Sequence, residues 1–209
     1  MSTKLFLVRH GRTGWNAEGR IQGQADPPLD ELGLEQAKFI ADRLKDVALA
    51  AIVSSPLQRA RVTAEVIAAK RSGVPVILDD RLKEYDFGVV SGLTWEDVVR
   101  DQPEFARRWP DDGWAVPIEG SEGRAAFRDR VAASMKEVVR SYPDQRVAIV
   151  AHGGTFAVYL TALLGLDINR RHPFQFRNAS LSILEVGDKL RHIDLLNDAC
   201  HLDGWREHP

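Results

Sequence analysis

The chain has 209 residues, a single cysteine, 28 basic side chains against 30 acidic ones and a formal net charge of -2. A chain of that length buries roughly 70% of its unfolded surface and holds a core without disulfides or metals. Its charge balance excludes a nucleic-acid partner held by counterion release. Cys200 on its own excludes an internal disulfide, suits a reducing compartment and is expected as a small, at least half-buried thiol. The four apolar residues Leu5 to Val8 are too few for a signal-peptide core or a membrane span, so a cytoplasmic protein without a membrane partner is expected.

Apolar runs of strand length alternate with segments of helical period, the pattern of a layered α/β sheet domain. Leu5 to Val8 is the first predicted strand. Residues 30 to 47 carry Leu34, Ala37, Ala41 and Leu44 on one helical face, with Asp30 as the cap. Ala50 to Val53 is the second strand. Ser55, Pro56 and Gln58 then read as an N-cap, a first helical residue and the glutamine three after the cap, opening a helix to about Ala69. Val74 to Leu78 is the third strand.

The stretch from Tyr85 to Gly123 breaks the alternation with Trp95, Trp109, Trp114, Pro110, Pro117 and the pair Arg107-Arg108. It reads as an irregular, lid-like insertion, its tryptophans packing locally and its paired arginines solvated. Phe127 to Tyr142 returns to helical spacing, Arg146 to Ala151 is the fourth strand, and Thr155 to Leu164 is a helix. Two β-rich runs then flank Gly187-Asp188, a hairpin signal. No repeat or linker interrupts the chain, so residues 1–209 are expected to form one domain.

Two of these strands end alike: LVRHG at residues 7–11 and VAHGG at residues 150–154. Histidines at the carboxyl ends of strands in one α/β sheet converge on the edge where such sheets bind ligands, and the glycines let a ligand approach the backbone. Arg59 falls in the first turn of a helix, where free N–H groups already favour an anion. With Arg9 it offers two planar forks to one site, which points to a phosphate dianion. The G-x-x-x-x-G-K-[ST] and G-x-G-x-x-G loops are absent, and the histidines lack metal-ligand spacing, so a pocket without nucleotide, metal or other cofactor is expected.

The segments LVRHGRTGWNAEGRIQGQADPPLDELGLEQA, SSPLQRARVTAE, RLKEYDFG and VAHGG, in that order, resemble the histidine phosphatase superfamily, which includes the cofactor-dependent phosphoglycerate mutases. The resemblance implies a three-layer α/β/α sandwich with a mostly parallel mixed sheet. It also implies His10 as the nucleophile, Glu84 as the proton donor, and Arg9, Arg59 and His152 as the phosphate clamp. Asn16, Gln22 and Gly23 match positions that line the substrate site in relatives.

Phosphoryl transfer spreads charge over three equatorial oxygens, which fixed cations must meet where no metal does; Arg9, Arg59 and a protonated His152 are expected to do so. His10 must be neutral to attack, and a protonated Glu84 supplies the departing alkoxide with its proton. Arg12 stands where relatives commonly carry Glu or Gln, which predicts a more positive pocket mouth. IEGSEG at residues 118–123 replaces a common Gly-Glu-Ser, so Ser121 and Glu122 receive no role.

The reading favoured is a phosphomonoester hydrolase acting on a small phosphorylated metabolite, with a homodimer left open. The alternative is a mutase that returns the phosphoryl group to bound phosphoglycerate. A silent phospho-ligand-binding module is disfavoured because both His10 and Glu84 are present.

Overall fold

The computed structural model describes residues 1–112, 116–169, 173–188 and 190–203; Trp114 lies outside them. Six strands, Ser2–Arg9 (β1), Ala51–Ser54 (β2), Val76–Leu78 (β3), Arg146–Ala151 (β4), Leu181–Gly187 (β5) and Arg191–Asp198 (β6), form one sheet in the order β3-β2-β4-β1-β5-β6. Only β5 runs against the others. Its hairpin with β6 closes where the Gly187 N–H donates to the Leu190 carbonyl at 2.9 Å.

Among the described residues seven α-helices complete the layers: Gly14–Ala17 (α1), Glu31–Leu44 (α2), Gln58–Ala69 (α3), Trp95–Asp101 (α4), Pro103–Asp112 (α5), Arg124–Ser141 (α6) and Gly153–Leu163 (α7). The period of two along the strands sorts the core into two halves. Phe6 and Val8 of β1 with Ala148 and Val150 of β4 pack under Ile40, Ala41 and Leu44 of α2 and Ala60, Ala64 and Ile67 of α3. Leu5, Leu7, Val147 and Ile149 face the other way, onto Phe127, Val131 and Met135 of α6 and Phe156 and Leu160 of α7. The result is the expected three-layer α/β/α sandwich. None of the described helices is long and apolar enough to cross a membrane.

Several sequence expectations need correction. The helix after β2 starts at Gln58, not beside Ser55: Leu57 is its N-cap in an extended conformation, and Ser55 Oγ instead accepts the Leu57 N–H at 3.3 Å. Leu34 is exposed, and Ile40 takes its place in the buried stripe of α2. The third strand is shortened to Val76–Leu78, since Pro75 has no N–H for the ladder. Cys200 is exposed rather than buried, because it sits in a turn just past β6.

The largest difference lies between residues 85 and 123. In place of an irregular insertion, the chain forms α4, opened by a Thr94–Asp97 capping box, and α5, opened by Pro103 and tolerating Pro110 near its end. Val98 and Phe105 anchor the pair in the core, with Phe105 stacked 5.2 Å from Trp109. This excursion leaves and returns at one point: Val89 N–H donates to the Glu119 carbonyl at 3.0 Å. A Cβ at Gly88 would lie 2.0 Å from that same oxygen, and Gly88 has φ +52, so only glycine fits the crossing.

Candidate active site

β1 and β4 are neighbouring parallel strands in register, and each is followed directly by a histidine, His10 and His152. The His10 N–H extends the ladder by donating to the Ala151 carbonyl at 3.0 Å, while the His10 carbonyl receives the Ala179 N–H at 3.1 Å and the Asn178 side chain at 3.1 Å. That ladder brings the two imidazoles together, centroids 5.2 Å apart and rings tilted by 57°. His10 is 3% exposed and His152 is fully buried.

His10 Nδ1 lies 2.7 Å from the carbonyl of Gly11. A carbonyl can only accept, so Nδ1 carries the proton and the lone pair of the neutral ring sits on Nε2. Burial, followed by Arg59 and Arg9, holds the His10 pKa well below its usual 6.5, which keeps that lone pair available. Gly11 is fixed in turn by donating to Thr63 Oγ1 at 3.1 Å. A Cβ at Gly11 would sit 2.3 Å from the Gly33 carbonyl, where the first turn of α2 presses on the loop after β1.

His152 is the N-cap of α7 but makes no side-chain cap, so its ring is free for other contacts. Nε2 meets Ser55 Oγ at 2.8 Å, and Nδ1 is buried with no partner. Burial first, then Arg59, His10 and Arg9, holds the His152 pKa well below 6.5, which works against the protonated form expected for it.

Arg59, in the first turn of α3, is 1% exposed and held by two carbonyls, Nη1 on Ala25 and Nη2 on Gly23, each at 2.7 Å. Burial lowers it to about 10, which still leaves it cationic at neutral pH. Arg9 Nη1 donates to the Phe176 carbonyl, and its Nε occupies the space beside Gly153, 3.7 Å from where a Cβ there would lie. The Nε donors of Arg9 and Arg59 and the Nδ1 of His152 are buried without protein partners. Buried donors left this way at convergent strand ends mark a site for an anion.

Glu84 approaches from the side of α6 and α7. Its Oε2 accepts the Gly154 N–H at 2.9 Å and its Oε1 the Tyr85 N–H at 2.7 Å, which leaves each oxygen a second lone pair. A Cβ at Gly154 would lie 2.3 Å from Glu84 Oε1, so glycine here leaves the carboxyl its place.

Of the remaining expected residues, Gln22 is buried with Oε1 unpartnered, and Gly23, at φ +53, supplies the carbonyl that holds Arg59. Asn16 Oδ1 is occupied by the Thr13 N–H and hydroxyl and by Asn178. Arg12 does not make the mouth more positive, because Asp30 takes its Nε at 2.8 Å. Sequence reasoning missed Ser55, Thr63, Asn178 and Arg130, whose positions come from long-range packing. Among the described residues no group of three or more His, Cys, Asp and Glu side chains could hold a metal ion.

A neutral imidazole with its lone pair exposed beside two buried guanidinium groups and a carboxyl is the equipment of a known family, and the histidine phosphatase superfamily (branch 1) profile matches residues 5–199. The chain belongs to that superfamily. The chain is 39% identical over 199 residues to Phosphoserine phosphatase 1 of Hydrogenobacter thermophilus, covering 95% of this chain and 94% of the relative. It is 34% identical to Probable phosphoglycerate mutase GpmB of Escherichia coli, covering 96% and 95%. The native structure of a mycobacterial glucosyl-3-phosphoglycerate phosphatase superposes with a TM-score of 0.84 at 32% identity, covering 95% of this chain and 100% of that one.

Proposed function

We propose that this histidine phosphatase hydrolyses a phosphomonoester of a small metabolite through a phosphohistidine at His10, without a metal ion. The observation that carries the reading is the His10 Nδ1–H bond to Gly11, which leaves Nε2 as the nucleophilic atom beside the unpartnered Nε donors of Arg9 and Arg59 and the unpartnered Nδ1 of His152.

In the first step the Nε2 lone pair forms a bond to phosphorus while the bond from phosphorus to the leaving oxygen breaks. Glu84 gives its proton to that oxygen. Arg9 and Arg59 meet the charge on the equatorial oxygens, and the arriving dianion offsets the cations that work against a protonated His152. In the second step water attacks phosphorus, Glu84 takes the water proton, and the bond from phosphorus to Nε2 breaks.

The relatives named for phosphoserine and glucosyl-3-phosphoglycerate support a small metabolite as substrate. The test is phosphate release from a panel that includes phosphoserine, together with denatured-mass detection of a phosphoryl group on the wild type and on His10→Ala. Phosphate release with a His10-dependent adduct supports hydrolysis. Interconversion of 3-phosphoglycerate that requires 2,3-bisphosphoglycerate, without phosphate release, would establish the mutase instead.

A further inference from the structure

Glu84 is carried by neither a strand end nor an α-helix. Its segment, from Arg81 to Asp86, lies between a short turn and the α4–α5 excursion, where regular structure supplies few hydrogen bonds. Arg130, two turns into α6, meets this need with every donor it has. Nη1 donates to the carbonyls of Arg81 at 2.8 Å and Lys83 at 2.7 Å, and Nη2 to the carbonyl of Glu84 itself at 2.8 Å. The remaining donors form a two-pronged pair with Glu122, Nη2 on Oε1 at 2.6 Å and Nε on Oε2 at 2.7 Å.

Glu122 passes the restraint on, because its Oε1 also accepts the Asp86 N–H at 2.9 Å. The guanidinium plane rests over Phe127 at 4.7 Å from the ring centroid. Both members of the pair are four-fifths buried. Arg130 therefore grips the chain on one side of Glu84 and Glu122 grips it on the other.

We propose that Arg130, braced by Glu122, is a positioning residue that aims the Glu84 carboxyl at the leaving oxygen. The inference rests on the proton-donor role proposed above for Glu84. A guanidinium spanning three carbonyls and a carboxylate has a fixed fork that lysine cannot reproduce. Once it is lost, the Glu84 carboxyl keeps its bonds to Gly154 and Tyr85 but its backbone loses its anchor, and a shift of about 1 Å costs on the order of 10²-fold in a proton transfer.

The readout that separates positioning from mere folding is the identity of the leaving group. A good leaving group departs without a proton; a poor one does not. Leaving-group release is measured in single turnover with 2,4-dinitrophenyl phosphate and with phosphoserine, for wild type, Glu84→Gln, Arg130→Lys and Glu122→Gln. Expected is a loss of about 10²-fold with phosphoserine for Arg130→Lys, with less than about threefold for the dinitrophenyl ester. Glu122→Gln, which keeps the three carbonyl bonds, should show the same selectivity at smaller size.

Equal losses on both esters for Arg130→Lys and Glu122→Gln, or no loss, overturn the proposal while a selective Glu84→Gln leaves the donor reading intact. A Glu84→Gln variant that slows both esters equally overturns the donor reading itself. If Arg130→Lys does not fold, the selectivity of Glu122→Gln decides.

Discussion

Ser55 and His152 meet through a 2.8 Å hydrogen bond that ties the turn after β2 to the end of β4. Ser55 Oγ accepts the Leu57 N–H and keeps a second lone pair and a hydrogen for His152 Nε2, so this contact couples the His152 tautomer to the turn after β2, while Nδ1 stays buried without a partner. Ser55→Ala frees the ring to adopt the other tautomer. Turnover should fall about tenfold, the equivalent of one hydrogen bond, with the fold intact by circular dichroism; unchanged kinetics would mean that Ser55 does not set the tautomer.

Both site histidines have pKa values held well below 6.5. The unfolded chain therefore binds protons near pH 6.5 that the folded chain refuses, so stability is complete above about 6.5 and declines as pH falls below it. His201 is lowered too, by burial and then Arg43, and adds to the same decline. Melting temperature should drop from pH 7 to pH 5, less so for His152→Gln and less so with saturating phosphate. Nitrogen NMR of the imidazoles should find both rings neutral at pH 6.5; a charged ring there contradicts the electrostatics described.

Arg59→Lys keeps the charge but cannot hold the carbonyls of Gly23 and Ala25 and face an anion at once. A loss of two to three orders of magnitude in kcat is expected, on the order of removing one transition-state donor. A change confined to KM would make Arg59 a binder of the ground state only.

Gly154→Ala places a methyl group 2.3 Å from Glu84 Oε1. The carboxyl must move, and kcat on poor leaving groups should fall by about 10²-fold, while phosphate binding, measured by calorimetry, changes little. Equal weakening of phosphate binding would show that the whole pocket had shifted.

How far the sequence foretells this site depends on where each residue sits. His10 and His152 are legible because they close apolar runs whose ends a parallel sheet brings to one edge, and Arg59 because it falls in the first turn of the helix after the second strand. Glu84 carries no such mark: it lies in a segment without period, and only the family resemblance singles it out. Ser55 was misread because its proline neighbour suits a helix start, whereas its hydroxyl is claimed by His152, 97 positions away. Glu122, given no role from its altered motif, proves to be Arg130's partner eight residues on, a spacing with no local signature. Helices α4 and α5 escaped notice because Pro103, Pro110 and the tryptophans mimic loop composition, while their stability comes from Val98 and Phe105 docking on the core.

The bond between Val89 and Glu119 brings the two ends of the α4–α5 excursion together outside the strand ends that gather the arginines and histidines. Within it the Gly92 N–H donates to the Ile21 carbonyl at 2.7 Å and the Leu93 carbonyl accepts the Ile21 N–H at 2.9 Å, next to Gln22 and Gly23, so a rearrangement of the excursion reaches the loop whose carbonyl holds Arg59.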